Sequence, residues 1–382
     1  MFVLISLGNT IILLILTYFL NNMPLFTGEN LNEHAWIQLL KEKLGQADQE
    51  DYKDVLFINV AYDKQLVDKF DKDNMYIGNI DITDRKKLLD ILNILDSLNR
   101  HRYIFLDVRF EKGFASNVDS ALFTKILRMD KIVIANHSDI DLSDSSLLRK
   151  AAMSDYYSTI VATNFTKYKY LENGQQSMPL YAYKELTGKT ISKHGPIYTS
   201  NSKLCQNSLF LSYSTKVFSE YDENKFKNYY NLGSDILEID PVSTLSELSK
   251  GKYVIIGDMV NDMHDTYAGL KPGPLIIYKA FHSLMDGKHY VSFLLYMFLA
   301  IVFFLISFTL FRKDSLLERI PFIRDSHSDL LHFILSFIGY AFVLFMTVIL
   351  LHLCFGITVS FIIPSFYFAV QKTIIKYKRK QL

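Results

Sequence analysis

The stretch GKYVIIGDMVNDMHDTYAGLKPGPLIIYKAFHSLMDGKHYV, residues 251–291, decides how this chain is organised. Residues 251–257 form an apolar, β-branched run between glycines, which reads as a buried strand. The residues after it place Asp258, Asp262, His264 and Asp265 in one loop. Pro272 and Pro274 then open a helix, and Gly287 suits the position just past its end. Ile277, Phe281, Leu284 and Met285 make its expected buried stripe. Only Lys288, His289 and Tyr290 separate that helix from an uncharged apolar run, so a polar loop is tied to a candidate membrane helix with almost no slack.

The same apolar pattern recurs on either side. Residues 2–20 and 291–311 carry no charge, and 330–370 carries none apart from His332 and His352. About 20 apolar residues cross a bilayer as a helix, so 330–370 has the length of two spans with a turn near 354–356. The expectation is four transmembrane helices, at 2–20, 291–311, 330–351 and 355–370. Basic residues gather in 312–328 (Arg312, Lys313, Arg319, Arg324) and in the tail 371–382 (Lys372, Lys376, Lys378, Arg379, Lys380), while 21–40 has none. That asymmetry places both termini in the cytoplasm and residues 21–290 outside a bacterial inner (plasma) membrane, periplasmic or extracellular. The tail is expected against anionic headgroups. The first span has no charged leading region and no small-x-small cleavage site, so it reads as an uncleaved anchor. Cys205 and Cys354 then lie in different compartments, and no disulfide is expected. A formal net charge of +1 with 49% hydrophobic residues fits neither a nucleic-acid binder nor a disordered protein.

Within 21–290 the pattern alternates. The runs 55–60 (VLFINV), 103–108 (YIFLDV), 131–136 (KIVIAN) and 253–257 (YVIIG) fit strands covered on both faces, as in a parallel sheet. Between the first two, Leu88, Leu92, Leu95 and Leu98 share a helix face. Ser116 and Asp119 make a capping box ahead of the stripe Val118, Leu122, Ile126 and Met129. The expected fold is α/β: a mostly parallel extracytoplasmic sheet with flanking helices, plus four transmembrane helices. In 137–250, residues 139–148 read as a loop, 178–183 and 208–213 as further strands, and 224–240 as a polar surface segment.

Three blocks carry a family resemblance: LDVRFEKG (106–113) followed by NVDSALFTKIL (117–127), GKYVIIGD (251–258), and PGPLIIYKAFHSLMDGK (272–288). Together they resemble the type-two CHASE domain, an extracytoplasmic sensory module found attached to bacterial cyclases, histidine kinases and other signalling proteins. The similarity runs over about 50–290 and the membrane segments. It implies one span before the sensory domain and about three after it. The chain departs from the family after residue 370, where the 12 residues that follow leave no room for an effector, so output is expected through a protein partner or a homo-oligomer.

If the strands ending at 108 and 257 are neighbours, the loops after them meet at the carboxyl edge of the sheet, where α/β folds bind ligands. Asp107, Arg109 and Glu111 then approach Asp258, Asp262, His264 and Asp265, giving a polar ligand pocket or a hard-metal site. The plainer reading of each residue is an Asp107–Arg109 ion pair and turn or cap roles for Asp258 and Asp265. The loop does not meet zinc or calcium spacing rules, and neither a metal nor a cofactor is expected. Gly269, Pro272 and Gly273 either let the backbone approach an anion at the helix start or simply aim the helix. His332 and His352 are expected at the membrane interface.

The expected partners are the lipid bilayer, an extracytoplasmic ligand and a protein partner or second copy, with no nucleic acid. The leading functional reading is a multi-pass sensor that relays the state of its outer domain through the membrane helices. The alternative is an envelope scaffold that organises partners. A metal-dependent hydrolase at 258–265 is a third option, but the chain has no G-x-S-x-G, H-E-x-x-H or paired C-x-x-C pattern, and an enzyme is not expected.

Overall fold

A computed structural model of the chain describes residues 1–22, 52–70, 75–112, 114, 116–137, 142–154, 167–211, 229–266, 268–312, 328–355 and 359–381. The helices are α1 (Phe2–Asn22), α2 (Arg85–Leu98), α3 (Asp119–Arg128), α4 (Met178–Thr187), α5 (Pro241–Leu248), α6 (Gly273–Met285), α7 (Phe293–Phe311), α8 (Asp329–Phe355) and α9 (Ile362–Gln381). The main sheet holds six parallel strands in the order Tyr229–Asn231, Val55–Asn59, Tyr253–Gly257, Tyr103–Asp107, Ile132–Asn136, Ala151–Met153. In chain order we call these β14, β1, β15, β4, β5 and β6.

The four apolar runs of the sequence are therefore β1, β4, β5 and β15, and their alternate side chains build two cores. On one face Phe57, Phe105, Val133 and Ile255 pack beneath α4 and α6. On the other Ile58, Leu106, Ile134 and Ile256 pack beneath α2, α3 and α5. A strand buried on both faces has no polar alternation, which is why its run reads as continuous. The helix starts are capped locally: Asp84 accepts from the Lys87 backbone N–H at 2.9 Å, and the Asp119 carboxylate accepts from the Ser116 N–H at 2.8 Å. Helix α6 ends where expected, with Gly287 at φ 72°.

Several elements differ from the sequence reading. Residues 178–183 are not a strand but the first half of α4; Pro179 suits its first turn and Gly188, at φ 71°, its left-handed end, and these outweigh the strand propensity of the aromatics. Of 208–213, residues Ser208–Phe210 form β13, paired with β7 (Lys167–Lys169), and 212–213 lie outside the described residues. Of 224–240, only 229–240 is described, and it is not a polar surface segment. Tyr229–Asn231 is the edge strand β14, and Leu232–Leu237 forms a π-helical turn that buries Leu232 and Ile236. Gly233 allows that turn to sit on Asp63, whose carboxylate accepts its N–H at 3.0 Å. Ser145–Arg149 forms a short 3₁₀ helix over the end of the loop expected at 139–148, of which 139–141 lie outside the described residues. Met285 is 41% exposed and leaves the buried stripe of α6.

Smaller strands complete the α/β part. β2 (Lys64–Phe70) and β3 (Tyr76–Thr83) make an antiparallel hairpin. β8 (Leu171–Glu172) pairs with β9 (Gln175–Gln176), and β10 (Ile191–His194), β11 (Ile197–Ser200) and β12 (Lys203–Cys205) form a meander. β16 (Met263–Thr266) and β17 (Gly269–Pro272) form a hairpin leading into α6.

Three helices among the described residues are long and apolar enough to cross a membrane: α1, α7 and residues 329–353 of α8. The fourth expected span is not among them. Its apolar stretch is too short, and α9 continues through Gln371, Lys372, Lys376 and Lys378. It nonetheless packs against α8 and α1, with Phe366 against Phe333 and with Tyr367 and Gln371 donating to Asn9. His332 and His352 are buried within this bundle. Cys205 is a buried free thiol; Cys354 has no described side chain.

The bundle and the α/β part are strapped together. The backbone of β12 exchanges hydrogen bonds with the link between α6 and α7, Gln206 N–H to His289 O at 2.7 Å and Val291 N–H to Leu204 O at 3.0 Å. At the end of α1, the Tyr18 hydroxyl donates to Cys205 O at 3.1 Å and accepts from Tyr198 N–H at 2.9 Å, while Asn22 Oδ1 accepts from Asn207 N–H at 2.7 Å.

Candidate functional site

Register pairs Asp107 with Gly257, so the carboxyl ends of β4 and β15 are adjacent and the loops that follow them share one edge of the sheet. A cavity of ≈ 390 Å³ opens there. The β2–β3 hairpin contributes one wall through Lys64, Ile80 and Ile82, and the two loops contribute Asp107, Arg109, Glu111, Asp258 and Asp262. Its size and its mixture of apolar and convergent polar groups are those of small-molecule sites.

The centre is a carboxylate pair held against the start of α6. Ser154, just past β6, donates its hydroxyl to Asp107 Oδ1 at 3.1 Å. Asp262 accepts the Gly273 N–H on its backbone oxygen at 2.8 Å, and its Oδ1 lies 3.1 Å from His264 Nε2. A methyl group on Gly273 would collide with the Asp262 carboxylate and touch Asp107 Oδ2. Both carboxylates therefore converge on the α-carbon of Gly273, at the positive end of the α6 dipole. Gly257 allows a similar approach, since a Cβ there would strike Pro274 and Asp107. Burial first, and Asp262 second, push the Asp107 carboxyl up to about 7, against the opposing pull of Ser154, His264 and Arg109.

Of the residues expected in the pocket, Asp107, Asp262 and His264 are brought together. Asp258 is adjacent but occupied: Oδ1 accepts from the backbones of Val260 and Asn261, and Oδ2 from Asn261 Nδ2 and, at 3.3 Å, from Lys64 Nζ. Burial works upward on this carboxyl, but the hydrogen bonds from Asn261 and Val260, with Lys64, outweigh it and hold the pKa below its ordinary value. Arg109 is exposed on the cavity wall and forms no ion pair with Asp107, which corrects the ion-pair expectation. Its pull on the carboxyl is electrostatic and ranks below those of Ser154 and His264. Asp265 is also misplaced: 258–265 is not one loop, since β16 starts at Met263 and strand alternation leaves Asp265 exposed, opposite Leu270 and away from the cavity. Gly273 serves close approach, while Gly269, at φ 84°, and Pro272 turn the chain into α6.

Sequence reasoning missed Arg85. It is 1% exposed, lines the cavity, lies 4.5 Å over the Phe110 ring and donates to Arg109 O at 2.8 Å. Asp119 is its counter-charge, with Nε 3.6 Å from Oδ1. Desolvation lowers its pKa to about 10 despite Asp119. Arg85 thus pins the loop that presents Arg109 and Glu111. Among the described residues no group of three His, Cys, Asp or Glu side chains is placed to hold a metal ion.

No family model, no curated protein and no solved structure matches the chain. The fold and site define an α/β protein with a parallel six-stranded sheet, a polar cavity at its carboxyl edge and three helices of membrane-crossing length and composition.

Proposed function

We propose that this chain is a multi-pass membrane sensor whose outer α/β domain binds a small molecule in the cavity and relays its occupancy through α6 to the membrane helices. One observation carries the reading. The carboxylates of the cavity abut the first residue of α6, and the other end of that helix reaches α7 through a link hydrogen-bonded to β12. A ligand that favours one position of Asp262 over another biases the position of α6, and a rigid helix passes that bias on.

The likeness of three sequence blocks to the type-two CHASE domain supports the same reading, with residues 21–290 outside and the output passed to a partner or a second copy. Helix α9 fits as a fourth, less apolar member of the bundle. It runs back along α8, so that Lys376 lies 3.4 Å from Asp329 at the opposite end. That return keeps the basic tail on the side of 312–328, in agreement with the charge rule.

Gly273→Ala tests the relay, because the added methyl displaces the Asp262 carboxylate from the helix start. In the full chain in lipid nanodiscs, amide exchange across 286–296 should rise relative to wild type while the sheet strands stay protected. Unchanged exchange across 286–296 would reject the relay.

A further inference from the structure

The cavity wall has more negative charge than its own cations neutralise. Its permanent cations are Lys64, Arg85 and Arg109. Lys64 is paired with Asp258, and Arg85 faces Asp119 outside the cavity. Arg109, exposed, and His137 share the wall with Asp81, Asp107, Glu111 and Asp262, of which Asp262 is bonded to His264.

The deficit is sharpest at Asp107. Ser154 from the end of β6 bonds one of its oxygens, and the other faces Gly273 beside Asp262. The remaining charges near it are His264, itself bonded to Asp262, and Arg109. Asp107 itself has no counter-ion in hydrogen-bond reach, and burial, with Asp262 beside it, pushes its carboxyl up to about 7. Beside it the wall is apolar, with Val60, Ile80, Ile82, Val108 and Phe114. Arg85, buried in this wall, directs its guanidinium to Arg109 O, the Phe110 ring and Asp119 and so pairs with neither carboxylate. A hard metal ion would need more oxygen ligands than the pair supplies.

We propose that the cavity takes a small organic cation, a protonated primary amine with a short apolar body, whose ammonium group sits between the Asp107 and Asp262 carboxylates. The ammonium group takes the place of the proton on Asp107, and the apolar body lies against Ile80, Ile82 and Phe114. This rests on the cavity being the signal site proposed above.

The test is calorimetry on the full chain in nanodiscs with butylamine and phenethylamine, and with butyrate and calcium chloride as contrasts. An amine should bind at pH 8 and about 30-fold more weakly at pH 5.5, because below about 7 a proton must leave Asp107 first. Asp107→Asn should weaken binding at pH 8 at least tenfold and flatten the pH profile, and Asp262→Asn should weaken it comparably; a cooperative thermal transition no lower than that of wild type shows that both variants are folded. If neither amine binds, or if binding survives both substitutions, the amine assignment is overturned. Butyrate or calcium binding that depends on Asp107 would overturn the amine class while leaving the cavity a ligand site. Amine binding without altered amide exchange across 286–296 would instead uphold the amine and remove the relay.

Discussion

Asp107 ties the stability of the α/β part to pH. Its folded pKa, about 7, lies above the ordinary carboxylate value, so between roughly pH 4 and 7 the folded chain binds more protons than the unfolded one. Stability from this group is therefore greatest on the acid side and declines as pH rises through about 7. His289 acts in the opposite sense. Burial, helped by Lys189, lowers its pKa to about 4, so stability is lost as pH falls from about 6.5 towards 4. Comparing Asp107→Asn with wild type isolates the first effect: in urea denaturation from pH 5 to 8 the variant should lose the decline towards alkaline pH, by a few kcal/mol at most. An identical slope in both proteins would show that Asp107 titrates normally. The convergence of Asp107 with Asp262 was legible in the sequence because both lie just past doubly buried strands, whose apolar runs mark the centre of a sheet. Arg85 was not legible. An arginine at a helix start is ordinarily solvated, and nothing local signals that Phe110 and Asp119 close over it.

At the scale of elements, the hairpin β2–β3 supplies a cavity wall that the sequence did not announce. Its strands carry Lys64, Asp68, Lys69 and Asp81 among their apolar residues, because a two-stranded ribbon buries little of either face. Lys64 to Asp258, at 3.3 Å, joins the hairpin to the β15 loop. Both side chains are partly exposed, so the pair contributes about 0–1 kcal/mol. Lys64→Ala should accordingly leave global melting nearly unchanged while raising amide exchange in 64–83 by up to about fivefold. No change in that hairpin would mean that its apolar contacts alone close the cavity. The strand expected at 178–183 and the polar segment expected at 224–240 failed for a related reason. In each, short-range signals compete: aromatics against Pro179 and Gly188 in the first, polar residues against burial of Leu232 and Ile236 in the second. Only packing against the sheet decides between them.

Across the whole molecule, hydrogen bonds at the end of α1 and along the link between α6 and α7 join the α/β part to the helix bundle. The bundle has its own polar centre, where Asn9 donates to Ser307 at 2.8 Å and accepts from Tyr367 and Gln371, linking α1, α7 and α9. Such contacts fix helix register where apolar packing alone permits sliding. The sequence marked the apolar stretches but not this centre, since a lone Asn in an apolar run carries no sign of its partners. At the other end of α1, Tyr18 and Asn22 hold β11 and the residues around Cys205 to the bundle. Replacing both, Tyr18→Phe with Asn22→Ala, removes the three hydrogen bonds to 198–207, worth on the order of 2 kcal/mol together, besides the bond from Asn22 back to Tyr18 O within α1. Local opening of 197–207 should then increase about 30-fold by amide exchange, with the main sheet unaffected. If the sensor reading holds, the double variant should also blunt any response of α1 to occupancy of the cavity while leaving the path through α6 and α7 intact. A response of α1 equal to wild type would place the whole relay in α6, with the first helix acting as an anchor alone.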